Sequence, residues 1–261
     1  MSYIDPEKII EILNDVSEEI ILPRFKKLIA SDIREKNRND YVTVVDIESE
    51  KILTKRLSEL LIGSSVVGEE AVSSNPKILE RLCDDDIVWI IDPVDGTSNF
   101  IKGNERFGII VALIYKQHIV QGWIHDPLSE LTTVAEINSG TWCNGERKKI
   151  VSSWSLSTMI GASEHRSSER LSSVVAKLTF ITSTAHDYLD LVENRQQFAC
   201  FRGLNPWDHA AGVLLHSEAG GYSAMFDGKS YRPVLSKSGI LLAPNQSSWE
   251  QLYDLIDTSI V

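Results

Sequence analysis

Near the start of the chain the apolar residues Ile9, Leu13, Val16 and Ile20 recur at helical spacing behind Asp5-Pro6, a pair suited to cap and open a helix. An amphipathic helix ending near Pro23 is predicted. The β-rich run Tyr41 to Val45 predicts a strand that leads through Asp46 into a second helix, its apolar face marked by Ile47, Ile52, Leu53, Leu57, Leu60 and Leu61. Two short apolar runs then end in acids: Ser65-Val66-Val67-Gly68-Glu69-Glu70 and Ile87-Val88-Trp89-Ile90-Ile91-Asp92. Both predict strands that carry carboxylates to their carboxyl ends. Three β segments near 107–116, 118–125 and 130–137, joined by short turns, predict an antiparallel meander.

Beyond Ile150 the pattern alternates short strands with helices. Strands are expected at Thr158 to Ala162, Leu178 to Thr182, Phe198 to Phe201, Gly221 to Met225 and Gly239 to Leu242. Helices are expected at Ser167 to Lys177, Ala185 to Asn194, Asp208 to Glu218 and Ser248 to Asp257. Mixed sheets layered with helices, an α/β (α+β) class, fit this alternation best. The change of character suggests an N-terminal half, 1–150, and a C-terminal half, 151–261, joined in one compact unit.

The 261 residues are 43% hydrophobic and 24% charged, enough for a core that needs neither disulfides nor zinc. The longest apolar run, Phe107 to Tyr115, stops at Lys116, far short of the roughly 20 residues that span a bilayer. With no basic segment at Met1 to Asp5, a cytoplasmic protein without membrane attachment is expected. A net charge of -11 argues against nucleic-acid binding, which needs clustered Lys and Arg. Cys83, Cys143 and Cys200 show no CxxC pairing and read as reduced, buried thiols. Trp89, Trp123 and Trp142 fall in β segments and read as core.

The chemistry concentrates in Asp92-Pro93-Val94-Asp95-Gly96-Thr97-Ser98-Asn99-Phe100. A strand emerges into Asp92, Pro93 forces a turn, and Gly96-Thr97 tightens into a helix start. Two carboxylates on such a turn suit a hard divalent cation, and the Gly96 and Thr97 amides suit an anion. Alone, this stretch is equally an ordinary Asx turn, Gly68-Glu69-Glu70 a solvated acidic turn, and Asp208 in Asn205-Pro206-Trp207-Asp208 an N-terminal helix aspartate. Jointly these bland readings weaken. Carboxylates about 4 Å apart repel by roughly 4 kcal/mol at an effective dielectric of 20, so Glu69, Asp92, Asp95 and Asp208 converge only around cations.

Gly68-Glu69-Glu70, the Asp92 to Phe100 stretch and Trp207-Asp208-His209-Ala210-Ala211-Gly212 occur in that order, with 23 residues from Glu69 to Asp92 and 116 from Asp92 to Asp208. With Thr43-x-x-Asp46, this combination resembles the inositol monophosphatase family over nearly the whole chain, its bacterial extragenic-suppressor type most of all. The resemblance implies a sugar-phosphatase fold of alternating helix and sheet layers (αβαβα) and a homodimer. It implies about two to three Mg²⁺ ions per subunit. One would be held by Glu69, Asp92 and the Val94 carbonyl, a second by Asp92, Asp95 and Asp208, and a weaker one beside Glu69. Thr97, hydrogen-bonded to Asp46 and close to Glu70, would position the attacking water. Asp95, Gly96, Thr97, Asp208 and the Ser183-Thr184-Ala185 stretch would meet the substrate.

The expected reaction is hydrolysis of inositol monophosphate or a similar small polyol phosphate. Histidinol phosphate, fructose 1,6-bisphosphate and 3'-phosphonucleotides are alternative substrates, and a regulatory binding protein is the alternative of another class. This chain departs from the family's pattern in two places. Ser183-Thr184-Ala185-His186 stands for Gly-Ser/Thr-Ala-Ala, and Phe201-Arg202-Gly203 stands where inositol-specific members carry a hydroxyl-binding acid. Arg202 reads as a solvated edge residue. His186 is kept as a substrate-edge residue, His209 is expected to point away from the metals, and His118, His125, His165 and His216 are expected to be structural.

Overall fold

The structure is a computed structural model and describes residues 3–163 and 169–256. Its strands, in chain order, are β1 (Ile33–Asn37), β2 (Asp40–Thr43), β3 (Ser65–Gly68), β4 (Ile87–Asp95), β5 (Gly108–Tyr115), β6 (His118–Asp126), β7 (Leu131–Glu136), β8 (Gly140–Cys143), β9 (Glu146–Lys148), β10 (Ile160–Ser163), β11 (Lys177–Phe180), β12 (Phe198–Leu204), β13 (Tyr222–Met225) and β14 (Ser236–Ala243). The helices are α1 (Pro6–Val16), α2 (Val44–Leu60), α3 (Glu69–Ser74), α4 (Arg81–Asp84), α5 (Thr97–Lys102), α6 (Glu169–Ser172), α7 (Thr184–Val192), α8 (Pro206–Glu218) and α9 (Gln246–Tyr253).

Asp5 caps α1 by accepting from the Glu7 amide at 3.2 Å, and Pro6 occupies the first helical position, where no amide proton is needed. Beyond Val16 the chain continues in a wider, π-type turn over Ser17–Ile21 and a tight turn over Leu22–Arg24. The predicted strand at Tyr41 to Val45 ends earlier, at Thr43, because the Thr43 side chain and Asp46 form a capping box that starts α2. On α2 the buried stripe is Val45, Ser49, Leu53 and Leu57, at helical spacing. Ile47 lies off it and is exposed, which corrects the face expected from hydropathy.

Seven strands form one sheet in the order β3-β4-β5-β6-β7-β8-β9, parallel between β3 and β4 and antiparallel elsewhere. The expected meander is β5-β6-β7. Successive β4 residues alternate between its faces: Trp89 and Ile91 join α1 and α2 in one core cluster, whereas Val88 and Ile90 join α7 and α8 in another. The second cluster also takes Ala199, Phe201, Ile240 and Leu242 from a five-stranded sheet ordered β11-β10-β12-β14-β13. The opposite face of that sheet presents Phe198, Cys200, Leu241 and Ala243 to Trp249 and Leu252 of α9. The layers therefore run α1/α2, large sheet, α7/α8, small sheet, α9. No helix among the described residues is long and apolar enough to cross a membrane.

Several expectations are corrected. The helix expected over Ser167 to Lys177 shrinks to α6, with Lys177 already in β11; residues 164–168, His165 included, lie outside the described residues. Ser172 and Ser173 are weak helix formers, and the Ser173 hydroxyl donates to the Arg170 carbonyl where the helix stops. Asp257, the expected end of the last helix, also lies outside the described residues. Trp89 and Trp123 are fully buried, but Trp142 is 41% exposed because β8 lies near the sheet's edge. Cys83 is exposed on α4, while Cys143 and Cys200 are buried thiols.

Candidate metal centre

β4 does not turn at Pro93 as expected but runs on to Asp95. Its register against β5 slips between Asp92, opposite Ile110, and Asp95, opposite Gly108, and Pro93 sits in that irregularity, where a missing amide proton costs nothing. The Asp92 carboxylate accepts from the Val94 amide at 3.0 Å, which holds the bulge. Gly96 follows in the left-handed region (φ 83°), where a Cβ would stand 2.8 Å from the Arg106 carbonyl oxygen, and α5 begins at Thr97.

From the C-terminal half, α8 brings Asp208 into this bulge. Ligand atoms of Asp92, Asp95 and Asp208 lie within 4.8 Å of one another. Asp208 is oriented by the Asn205 side chain, whose Nδ2 donates to its Oδ2 at 3.0 Å. Asp95 is fastened to the start of α7: the Ser183 hydroxyl donates to its Oδ2, as does the Ala185 amide at 3.0 Å, while the Thr184 amide donates to Oδ1 at 3.1 Å. Two of the main-chain donors in the stretch expected to meet substrate hydroxyls, the Thr184 and Ala185 amides, are thus engaged with Asp95. His186 is tied to the Phe107 carbonyl at 3.0 Å, and His209 points away to Tyr188 at 3.1 Å.

Thr97 and Asp46, the residues expected to position the attacking water, are brought together. Thr97 Oγ1 lies 2.9 Å from Asp46 Oδ1 and 3.0 Å from the Val94 carbonyl oxygen. Its single proton goes to one of them at a time. Asp46 also accepts from the Thr43 amide at 2.8 Å, so the residue that caps α2 also holds Thr97.

Two positioning residues escaped the sequence reading. Glu50, one helical turn beyond Asp46 on α2, accepts from the Glu70 and Ala71 amides at 2.7 and 2.8 Å and fixes the start of α3. A Cβ on Gly68 would collide with the Glu50 carboxylate, so a larger residue there would push Glu50 off the Glu70 and Ala71 amides. Lys36 reaches from β1 to Glu69 Oε1 and Glu70 Oε1, 2.9 Å from each. The i, i+4 spacing of Asp46 and Glu50 was a readable signal; β1, Ile33-Arg34-Glu35-Lys36-Asn37, carries no hydrophobic alternation that would have placed Lys36.

The electrostatics of the centre is that of buried acids crowded together. Burial pushes the Asp92 carboxyl well above its usual range, and the charges of Glu69, Asp95 and Asp208 push the same way. Burial raises Asp95 too, opposed by its hydrogen bonds from Ser183, Ala185 and Thr184. It lifts Asp46 to about 6, opposed by hydrogen bonds from Thr43 and Thr97, and Glu69 to about 7, opposed by Lys36. For Lys36 burial disfavours the ammonium, but attraction to Glu69 and Glu70 outweighs it and the pKa is raised. Hard carboxylate oxygens converging under mutual repulsion fit Mg²⁺, which binds through few carboxylates and keeps positions for water and phosphate.

Behind Asp95, Asp187 on α7 is buried, pairs with Arg106 at 3.1 Å and leaves Oδ2 without a partner among the described residues. Burial raises its pKa from 3.8 to about 7, against the attraction of Arg106. An acid raised in the native state holds its proton while the unfolded chain loses it, so this group makes stability fall as pH rises from about 4 to 7. Asp187→Asn is expected to flatten that decline and to raise the melting temperature at pH 8 by a few degrees. Melting curves of both proteins from pH 5 to 8 check it; a lower melting temperature for the variant throughout would refute it.

The family model described as the inositol monophosphatase family matches residues 5–260. The chain is 29% identical over 196 residues to a fructose-1,6-bisphosphatase/inositol-1-monophosphatase of Thermotoga maritima, covering 73% of each chain. It is 29% identical over 246 residues to the Nus factor SuhB of Haemophilus influenzae, covering 89% of each. A crystal structure of an IMPase/NADP phosphatase complexed with Mg²⁺ and phosphate superposes with a TM-score of 0.84 at 20% identity, covering 97% of this chain and 94% of that one.

Proposed function

The chain belongs to the inositol monophosphatase family, and on that premise we propose that it is a Mg²⁺-dependent phosphomonoesterase acting on inositol monophosphate or a similar small polyol phosphate. The observation that carries this reading is the convergence of Asp92, Asp95 and Asp208 from β4 and α8 beside the Thr97–Asp46 pair. Mg²⁺ held by these acids, with Glu69 and the Val94 carbonyl, would neutralise phosphoryl oxygens and acidify water. The Mg²⁺ and phosphate of the IMPase/NADP phosphatase structure support it.

The chain's own part is positioning and proton handling. Thr97, donating its proton to Asp46 or to the Val94 carbonyl, offers lone pairs that accept from the attacking water and aim it in line. The water oxygen bonds to phosphorus as the ester P–O bond breaks, and the departing alkoxide takes a proton from solvent. Glu70, held by Lys36, stands by to accept the water's proton. The Gly96 and Thr97 amides, at the start of α5, would donate to the phosphate. The protein is read as cytoplasmic and as a homodimer, and light scattering checks the second.

A phosphate-release screen over phosphomonoesters, with and without Mg²⁺, tests the reading; no Mg²⁺-dependent release from any of them would refute it. Selectivity should be broad. Phe201 is buried against Tyr188 and His209, Arg202 lies over Phe226 with 5.0 Å to the ring centroid, and Glu193 is paired with Lys148 at 3.0 Å. No acid from these residues replaces the family's hydroxyl-binding one, a charged hydrogen bond worth about 1.5 to 3 kcal/mol. KM for inositol 1-phosphate should therefore be roughly 10 to 100 times that of members with the acid. A preference above about a hundredfold over β-glycerophosphate and fructose 1,6-bisphosphate would contradict this.

Lys36 holds Glu69 and Glu70 where a cation would otherwise bind. Lys36→Met is expected to lower the half-saturating Mg²⁺ concentration several-fold and, by leaving the two acids facing each other, to lower the melting temperature in EDTA. An increase in half-saturation would show that Lys36 assists metal binding. The name of the Haemophilus relative, a Nus factor, favours a second, regulatory role through a protein partner. Such a role would survive a substitution that ends turnover.

A further inference from the structure

On the face of the large sheet turned away from α8, two cavities open side by side between α1 and β7. The larger, about 490 Å³, has apolar walls from Ile10, Leu131, Val134 and the exposed Trp142. Glu7 and Glu136 flank it. The smaller, about 100 Å³, lies under the π-type turn, lined by Asn14, Ser17, Glu18 and His125. Glu130 lines both, so the two cavities are neighbours along α1 and are treated together as one groove. From Pro6 to Glu18 the groove follows about 18 Å of helix.

Two features set this groove apart from an ordinary acidic surface. Its linings contain four glutamates and no lysine or arginine. At its deep end, His125 Nε2 and Ser17 Oγ are buried without a hydrogen-bond partner among the described residues, although their residues are only 1% and 2% exposed. His125 Nδ1 lies 2.9 Å from Thr132 Oγ1; in the tautomer that donates there, Nε2 is an acceptor. Burial lowers the His125 pKa to about 4, so the ring is neutral at pH 7. A buried acceptor left unpaired costs free energy that a donating ligand removes.

We propose that this groove binds a linear aliphatic polyamine. Its ammonium groups would pair with Glu7, Glu130 and Glu18 and donate to His125 Nε2 and Ser17 Oγ, while its methylene spacers lie along Ile10, Leu131, Val134 and Trp142. A single metal ion suits the groove poorly. The acid cluster whose ligand atoms converge among the described residues is that of Asp92, Asp95 and Asp208, whereas the groove's carboxylates are spread along apolar walls. The indole of Trp142 carries the Arg147 guanidinium, 5.8 Å from its centroid, so this wall is assigned to a methylene spacer and the ammonium groups to the glutamates.

The test is calorimetric titration of the full chain with spermidine at saturating Mg²⁺, which occupies the acid centre on the other side of the sheet. One saturable site is expected, with a rise in melting temperature. Glu7→Gln/Glu130→Gln and, separately, Trp142→Ala are each expected to weaken it about tenfold or more. Both alter surface side chains, and their ligand-free melting curves establish that they fold. Asp92→Asn should leave spermidine affinity unchanged. Heat without saturation, equal binding of ethylenediamine and spermidine, or affinity lost in Asp92→Asn but kept in the groove variants would overturn the proposal.

Discussion

Replacing Asp92 by asparagine is expected to lower Mg²⁺-dependent phosphate release by at least about 10³, since a bound cation's charge stabilisation is worth several kcal/mol. The fold should survive, and the metal-free protein should gain stability. Asp92 is 2% exposed and faces the charges of Glu69, Asp95 and Asp208. An amide keeps the shape and removes the repulsion, and its oxygen can still accept from the Val94 amide. Because the Asp92 pKa is raised in the native state, ionising it destabilises the fold as pH rises. The variant's advantage in EDTA should therefore grow from acid to neutral pH. Asp208→Asn should also end turnover, with an added change in substrate affinity because α8 closes the site. Near wild-type rates at saturating Mg²⁺ in Asp92→Asn would remove the metal assignment.

What was legible in the sequence is what local rules dictate. Asp5-Pro6 and the apolar run Ile87 to Ile91 are decided within a few residues and were read as a helix start and a strand, whereas the Thr43/Asp46 capping box, equally local, was read through as strand. Asp92, Asp95 and Asp208 announced themselves by standing at a strand's end and a helix's start. What was not legible depends on partners distant in sequence. Lys36 finds Glu69 and Glu70 across 33 and 34 residues, from a hairpin with no apolar signature. Ser183, Thr184 and Ala185 carry a task the sequence did not show, since their donors hold Asp95, more than 80 residues back. Ile47, Trp142 and Cys83 show the same limit, since hydropathy names an apolar side chain but not the neighbour that would cover it.

Thr97→Ala separates water positioning from cation binding. The substitution removes the hydroxyl that lies 2.9 Å from Asp46 and 3.0 Å from the Val94 carbonyl while leaving the carboxylates of Asp92, Asp95 and Asp208 in place. The expected fall in kcat is roughly 10² to 10⁴, the range for a positioned proton-handling group, with Mg²⁺ affinity by calorimetry little changed. Thr97→Ser, which keeps the oxygen, should recover most of the rate. Asp46→Asn should slow turnover to a similar degree, because it leaves Thr97 without its carboxylate acceptor. If the pair acts as one unit, the double variant Asp46→Asn/Thr97→Ala will be little slower than either single one. Additive losses would mean that Asp46 acts on the site by a route other than Thr97. Mg²⁺ affinity falling in step with rate would make the Thr97 hydroxyl a metal ligand, and water positioning would then have to pass to Glu70, the remaining acid beside Lys36.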